Sequence, residues 1–435
     1  MAEADNGDLN VDCVITDEDL DRARALIGAD VIVRDRQYIT EATEDSIRNF
    51  AQSTGDDNPL YADPDYGATT RWAGQIAPNI MAAVMNRPLL GDPLSPELKA
   101  KKRGLFRGIH LFVSGSEWTW YRPIRPGDRI YSFEGEDGIE VKPSEFAGRT
   151  VTKFLRTVKF NQDGDVVATY RKRSILSERK AASQKGKYAT IEPANWTEEE
   201  LGRIDAIFAA ERPRGGQVRY WEDVNIGDDM GTMAKGPLTV TDMIVFHAGG
   251  YGFVPYGLLS HRLGWRNRQR IPAFYMKNRQ GVPDTAQRVH WDAELSRQTT
   301  GNPMPYDYGV MRETWLYHFL SDWAGDDAWI ERMYDEVRKF NYLGDVQIIA
   351  GQVVGKREVD GRFLVDVEVK TTSQRDVVCT ICNATIALPS SRYGPVTLPV
   401  APAELRHRAA SFLKRHGELR REKQGSRAGV ERRGA

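Results

Sequence analysis

The chain states one structural theme twice. Ahead of a polar stretch near its midpoint, VIVRDRQYITEATEDSIRNFA passes from a β-rich run into a helix opened by Thr43, with Glu44 and Asp45 in its first turn. Beyond that stretch, RYWEDVNIGDDMGTMAKGPLTVTDMIVFHA repeats the pattern, with Thr241 and Asp242 expected to open the helix. Thr and Asp at a helix start satisfy free backbone N–H groups and complement the dipole. Each side then sets an apolar helix after a small-residue turn, over Asn79–Met85 and Gly309–Trp323, and follows it with strands. The strand sets share their punctuation, Arg125-Pro126-Gly127-Asp128 in one and Leu343-Gly344-Asp345 in the other. Period-two patterning around Gly-Asp turns predicts half-buried antiparallel strands. A helix packed on a curved antiparallel sheet, made twice, is an α+β architecture.

A length of 435 residues accommodates two or three domains. The boundaries expected are an acidic segment over 1–29, a first unit over 30–176, a linker over 177–216 with a short helix around Thr197–Ala210, a second unit over 217–390 and a basic tail over 391–435. Residues 1–21 hold eight acids and no Lys or Arg, whereas 404–435 hold ten Lys and Arg against four Glu. Both ends read as solvated tails. With 60 basic against 61 acidic residues, no overall field favours nucleic acid or a membrane surface. Three cysteines are too few for a disulfide scaffold or a four-thiolate zinc site, and Cys379 and Cys382 read as core. The acidic start is unlike a secretory signal, and no run approaches the ~18 apolar residues of a membrane span. The expectation is a cytoplasmic protein.

Residues 50–78, FAQSTGDDNPLYADPDYGATTRWAGQIAP, resemble the MaoC-like acyl-CoA dehydratase/hydratase family, whose fold is the hot dog. The family's signature is a Gly-Asp-x-Asn-Pro-x-His-x-Asp frame. Asp56, Asn58, Pro59 and Asp63 match it, but Tyr61 stands where the His belongs. Family helices begin with a Gly whose N–H faces the substrate thioester, and Asn79 occupies that place. The resemblance therefore implies a non-catalytic first hot dog. In the second half His290-Trp291-Asp292 matches the His-x-Asp piece, and Gly309 falls at the helix start. The frame's Asp position holds Thr285, with Asp284 one place off register. An insertion over 251–283 precedes it.

The resemblance implies a double hot dog that pairs as a homodimer or within a heteromer. It also implies reversible, R-specific hydration of a 2-enoyl-CoA, with no metal or redox cofactor and CoA entering as part of the substrate. Hydration requires a base for water, a proton for C2 and donors for charge on the thioester oxygen. His290 is assigned as acid or base, Asp284 as its carboxylate partner and the Gly309 N–H as the oxyanion donor. Asp292 completes the His-x-Asp piece and is grouped with the substrate-binding residues. Phe253, Tyr256 and Trp265 of the insertion would wall the acyl group, and Arg268 would reach CoA phosphates.

Alternatives stand beside these. Asp56 and Tyr61 form either a purely structural turn or an altered site. His247 either caps a helix or lines the pocket, and His318 reads as a packed helical residue. At the level of the whole chain, the rivals are a hot-dog thioesterase and a non-catalytic acyl-CoA-binding subunit.

Overall fold

Alternation builds the sheet. In Arg362–Ser373, Val365, Val367, Val369 and Thr371 point into the core while Asp366, Glu368 and Lys370 point away. The computed structural model describes residues 14–107, 109–144, 148–177, 191–252 and 259–431. Its first half contributes strands β1 (Val31–Ile32), β2 (His110–Trp120), β3 (Tyr131–Ser144), β4 (Gly148–Phe160) and β5 (Val166–Ser177). Next come β6 (Asp229–Lys235) and a small hairpin, β7 (Tyr275–Lys277) and β8 (Pro283–Thr285). The second half is completed by β9 (Trp329–Val337), β10 (Gln347–Val359), β11 (Arg362–Ser373) and β12 (Val378–Ala387).

Apart from the hairpin, these strands form one ten-stranded antiparallel sheet, ordered β1-β3-β4-β5-β2-β9-β12-β11-β10-β6. The seam is β2 against β9, where Trp118 pairs with Met333. Two hot dogs thus share one sheet and one core, in which Trp118, Trp120, Met81 and Met85 pack with Leu316, Leu320 and Met333. Each such buried side chain contributes ~1.5–3 kcal/mol.

The two halves differ in what the sheet wraps. The second half has the expected long helix, Gly309–Ala324. The first half has only a six-residue 3-10 segment, Asn79–Val84. The long helix is buried nearly all round although it carries Arg312, Glu313, Thr314 and His318. Each of these needs a partner. Arg312 grips Asp307 through two bonds of 2.6 and 2.7 Å, Glu313 accepts from Trp118 Nε1 at 2.9 Å, Thr314 donates to the Met311 carbonyl, and His318 meets Lys235.

Several expectations need correcting. The second small helix is Val240–Phe246, capped by Thr239 rather than Thr241, with Asp242 closing a capping box. Neither described end is a solvated tail. Helix Asp17–Arg24 buries Leu20, which joins Ile15, Val151 and Leu176 in a small core. The basic segment forms helix Ala403–Glu431, which packs Leu405, Ala409, Phe412 and Leu413 on Phe133, Val158 and Phe160 of the first half. Arg408 pairs with Asp30, Arg415 with Asp92, and His416 Nδ1 accepts the Leu90 N–H at 2.8 Å. Charge counting obscured the apolar stripe that docks this helix. Within the linker, Thr197 caps helix Glu198–Ala210, which packs Ile204 on Ala234 and Val346. Among the described residues no helix is long and apolar enough to cross a membrane.

Candidate active site

The insertion before His290 is a scaffold. Its hairpin pairs Tyr275 with Thr285, and β8 runs directly into the 3-10 turn Ala286–His290. Asp292 then caps helix Ala293–Thr300 by accepting the Glu294 and Leu295 N–H groups. Buried Arg288 lies between two carboxylates, 2.7 Å from Asp292 and 3.5 Å from Asp284. This clamp secures the turn carrying His290. It also turns Asp284 toward Arg288: among the described residues the structure does not bring that carboxylate to His290.

His290 Nδ1 lies 2.7 Å from the Tyr306 carbonyl oxygen. A carbonyl only accepts, so Nδ1 carries the hydrogen and Nε2 keeps its lone pair. The ring lies against that of Tyr308, with centroids 3.8 Å apart and the planes tilted by 32°. Burial, reinforced by nearby His247, pushes the His290 pKa down to about 4, so the ring is neutral at physiological pH. Tyr308 immediately precedes Gly309, the first residue of the long helix. No side chain caps that helix start, and a Cβ added to Gly309 would meet nothing within 4 Å. An uncapped N-terminus facing open space is a preorganised site for negative charge.

The Tyr308 hydroxyl in turn lies 2.9 Å from His247 Nε2. His247 is the C-cap residue of helix Val240–Phe246, and its ring also lies edge-on to Tyr308 with centroids 5.3 Å apart. Glycines make its position reachable. A Cβ on Gly249 would lie 2.0 Å from Ser53, and one on Gly252 would lie 2.2 Å from Tyr38. Only glycine lets this turn press against the first half. Of the expected acyl-binding residues, Trp265 is 52% exposed on helix Arg262–Arg270 and Arg268 turns back toward the Leu259 carbonyl. Phe253 and Tyr256 lie outside the described residues.

The first half uses its motif to hold the molecule together. Asp56 accepts the Asn58 N–H, and the Asn58 amide reaches across to Asp326 of the second half at 2.9 Å. Asp326 also accepts from the Tyr66 hydroxyl at 2.6 Å, while its carbonyl accepts from Trp72. Tyr61, in the place of the family His, is buried and pairs its hydroxyl with Tyr317, which in turn faces the Asn79 N–H. A side chain from the second half therefore occupies the place in front of the Asn79 N–H that a substrate oxygen would take.

Asp56 also approaches a cluster that sequence reasoning missed. His318 Nε2 lies 3.3 Å from Asp322 and 3.9 Å from Asp56, and its Nδ1 lies 2.7 Å from Lys235 Nζ. Burial pushes the Asp56 carboxyl above its ordinary range, against the opposing pull of His318. Asp56, His318 and Asp322 place ligand atoms within 4.8 Å of one another, as a cation site would. Lys235 already supplies positive charge, however. By donating to Nδ1 it puts the ring proton on Nε2, the atom a metal would need bare. The arrangement is an internal ion network. Its one trace in the sequence was the i, i+4 spacing of His318 and Asp322.

Residues 25–170 match a family model described as FAS1-like, dehydratase domain region. A probable enoyl-CoA hydratase alpha subunit of Thermomonospora curvata is 30% identical over 149 residues, which cover 32% of this chain and 46% of the relative. The 3-oxo-4,17-pregnadiene-20-carboxyl-CoA hydratase alpha subunit of Mycobacterium tuberculosis is 24% identical over 251 residues, covering 53% of this chain and 79% of that one. The chain thus spans just under half the length of the first relative. A solved MaoC-like dehydratase aligns over 84% of this chain and 99% of its own, at 15% identity and a TM-score of 0.55. The fold is a double hot dog, shared with that MaoC-like dehydratase.

In this chain the signature frame is divided. The first half retains Asp56 without a histidine and is plugged by Tyr317; the second retains His290 and Asp292 with Thr285 in the carboxylate's place. Thr285 accepts the Gln287 N–H and so serves the turn.

Proposed function

We propose that this chain adds water across the double bond of a 2-enoyl-CoA, and in reverse dehydrates a 3-hydroxyacyl-CoA, at the site around His290 in its second half. The observation carrying this reading is the orientation of His290: the Tyr306 carbonyl holds Nδ1–H, which leaves the ring's lone pair on Nε2. Water attacks C3 as Nε2 takes its proton. The thioester oxygen gathers the resulting charge and the Gly309 N–H receives it. Nε2–H then returns the proton to C2, so H and OH both come from one water. A positioned base supplies roughly 10²–10⁴-fold, and an oxyanion donor lowers the barrier by about 3 kcal/mol. Asp284 and Asp292 act through Arg288, holding the turn. Delivery of both groups by one ring implies syn addition, and the family's hydratases imply an R hydroxyl.

The test is a panel of enoyl-CoAs, from short chains to ring-bearing acyl groups, followed by loss of enoyl absorbance with wild type and His290→Ala. The expected result is a fall of several orders of magnitude on one substrate. Release of free thiol without that absorbance change would select a thioesterase instead.

A second reading is favoured by Thr285 at the carboxylate position and by the relatives' description as alpha subunits. In it the chain is the acyl-CoA-binding member of a heteromer whose partner completes the site. Hydration that appears only after a second subunit is added would select it.

A further inference from the structure

Among the described residues no carboxylate pairs with His290, whose ring meets the Tyr306 carbonyl and the Tyr308 ring instead. We propose that Tyr308, anchored by His247, is the positioning residue that holds the His290 ring in line with the oxyanion donor. The claim rests on His290 being the base of the reaction proposed above.

His247 is only 1% exposed, and its Nδ1 lies 2.7 Å from the Gly252 carbonyl. That nitrogen must donate, leaving the Nε2 lone pair to accept from the Tyr308 hydroxyl at 2.9 Å. Burial lowers the His247 pKa and keeps it an acceptor. The phenol is thereby tied at its tip, and Tyr251 packs beside the ring with centroids 4.7 Å apart. His290 lies against this immobilised ring at 3.8 Å and 32°. Its second restraint is the Tyr306 carbonyl. A hydrogen bond alone permits the imidazole to swing; a bond and a packed face together set both its plane and the direction of Nε2. Both restraints belong to the segment leading into Gly309. Base and oxyanion donor are therefore referenced to the same few backbone atoms, and motion of that segment carries them together. Misplacement by about 1 Å costs on the order of a hundredfold in rate.

Tyr308→Phe removes the tether and keeps the ring contact, whereas Tyr308→Leu removes both. Expected kcat values fall roughly tenfold and a hundredfold respectively, with KM within about twofold in each. Independently of activity, the ¹⁵N spectrum of the His290 ring should show a single Nδ1–H tautomer in wild type and an averaged signal in Tyr308→Leu. A folded Tyr308→Leu protein with wild-type kcat, or one whose His290 spectrum is unchanged, overturns the proposal. If wild type hydrates no enoyl-CoA, the functional reading fails, and the ring spectra still decide whether Tyr308 positions His290. The milder Phe variant guards against a Leu variant that does not fold.

Discussion

Nδ1 of His318 sits 2.7 Å from Nζ of Lys235, joining the long helix to strand β6 beneath the Asp56 turn of the first half. The contact places one ammonium group among carboxylates drawn from both halves.

Lys235→Met should accordingly leave buried Asp56 and half-buried Asp322 without the nearby ammonium charge. Removing one partner of a buried ionic group costs about 3–5 kcal/mol. Denaturant unfolding should show a loss in that range at neutral pH. A change below about 1 kcal/mol would mean that the cluster is not held together by charge.

His290 must be neutral to act as a base, and its pKa is about 4 rather than the ordinary 6.5. The acid limb of kcat/KM, which reports the free enzyme, should fall near pH 4. Stability should follow the same direction. Between about pH 4 and 6.5 the unfolded chain binds a proton there that the folded chain does not, so this contribution is lost as pH falls. An NMR titration of His290 giving a value near 6.5 would contradict both expectations.

Glu313 and Asp335 meet at the seam, where Asp335 accepts from Ser116 Oγ at 2.6 Å. Burial, and for Glu313 the proximity of Asp335, push both carboxyls up. The folded protein therefore keeps a proton that the unfolded chain releases. The associated stability is full in acid, below the ordinary carboxyl range, and declines as pH rises through the folded values. Glu313→Gln preserves an acceptor for Trp118 and removes the titration. Its melting temperature should vary less than wild type's between pH 6 and 9, measured by calorimetry; parallel curves would exclude the effect.

The Tyr61–Tyr317 pair sits in the first half, and under the function proposed above neither hydroxyl serves turnover. Tyr61→Phe and Tyr317→Phe should each retain kcat/KM within about twofold while losing ~1 kcal/mol of stability, the net worth of a hydrogen bond. A tenfold loss of activity without destabilisation would assign catalysis to the first half.

Much of this protein was determined by sequence alone, wherever the physics is local. The duplicated pattern implied two α+β units, which the family resemblance made hot dogs; Thr43 marked a helix start, and His290 and Gly309 were picked out by their match to the family's frame. Caps, turns and alternating strands draw on neighbours a few residues away, so their signals survive in a string of letters. Asp284 shows where spacing misleads: it lies near His290 in sequence, but Arg288, four residues on, is the nearer charge. The remaining relationships were settled in three dimensions. Asn58 meets Asp326 across 268 positions, and His318 meets Lys235 across 83. Tyr308 joins His247 to His290, and the basic segment turns back onto the first half. The Asn58–Asp326 contact, like that of Trp118 with Glu313, comes from the β2–β9 seam closing two half-cores into one. Only then do polar side chains on a buried helix lose water and require the partners they have.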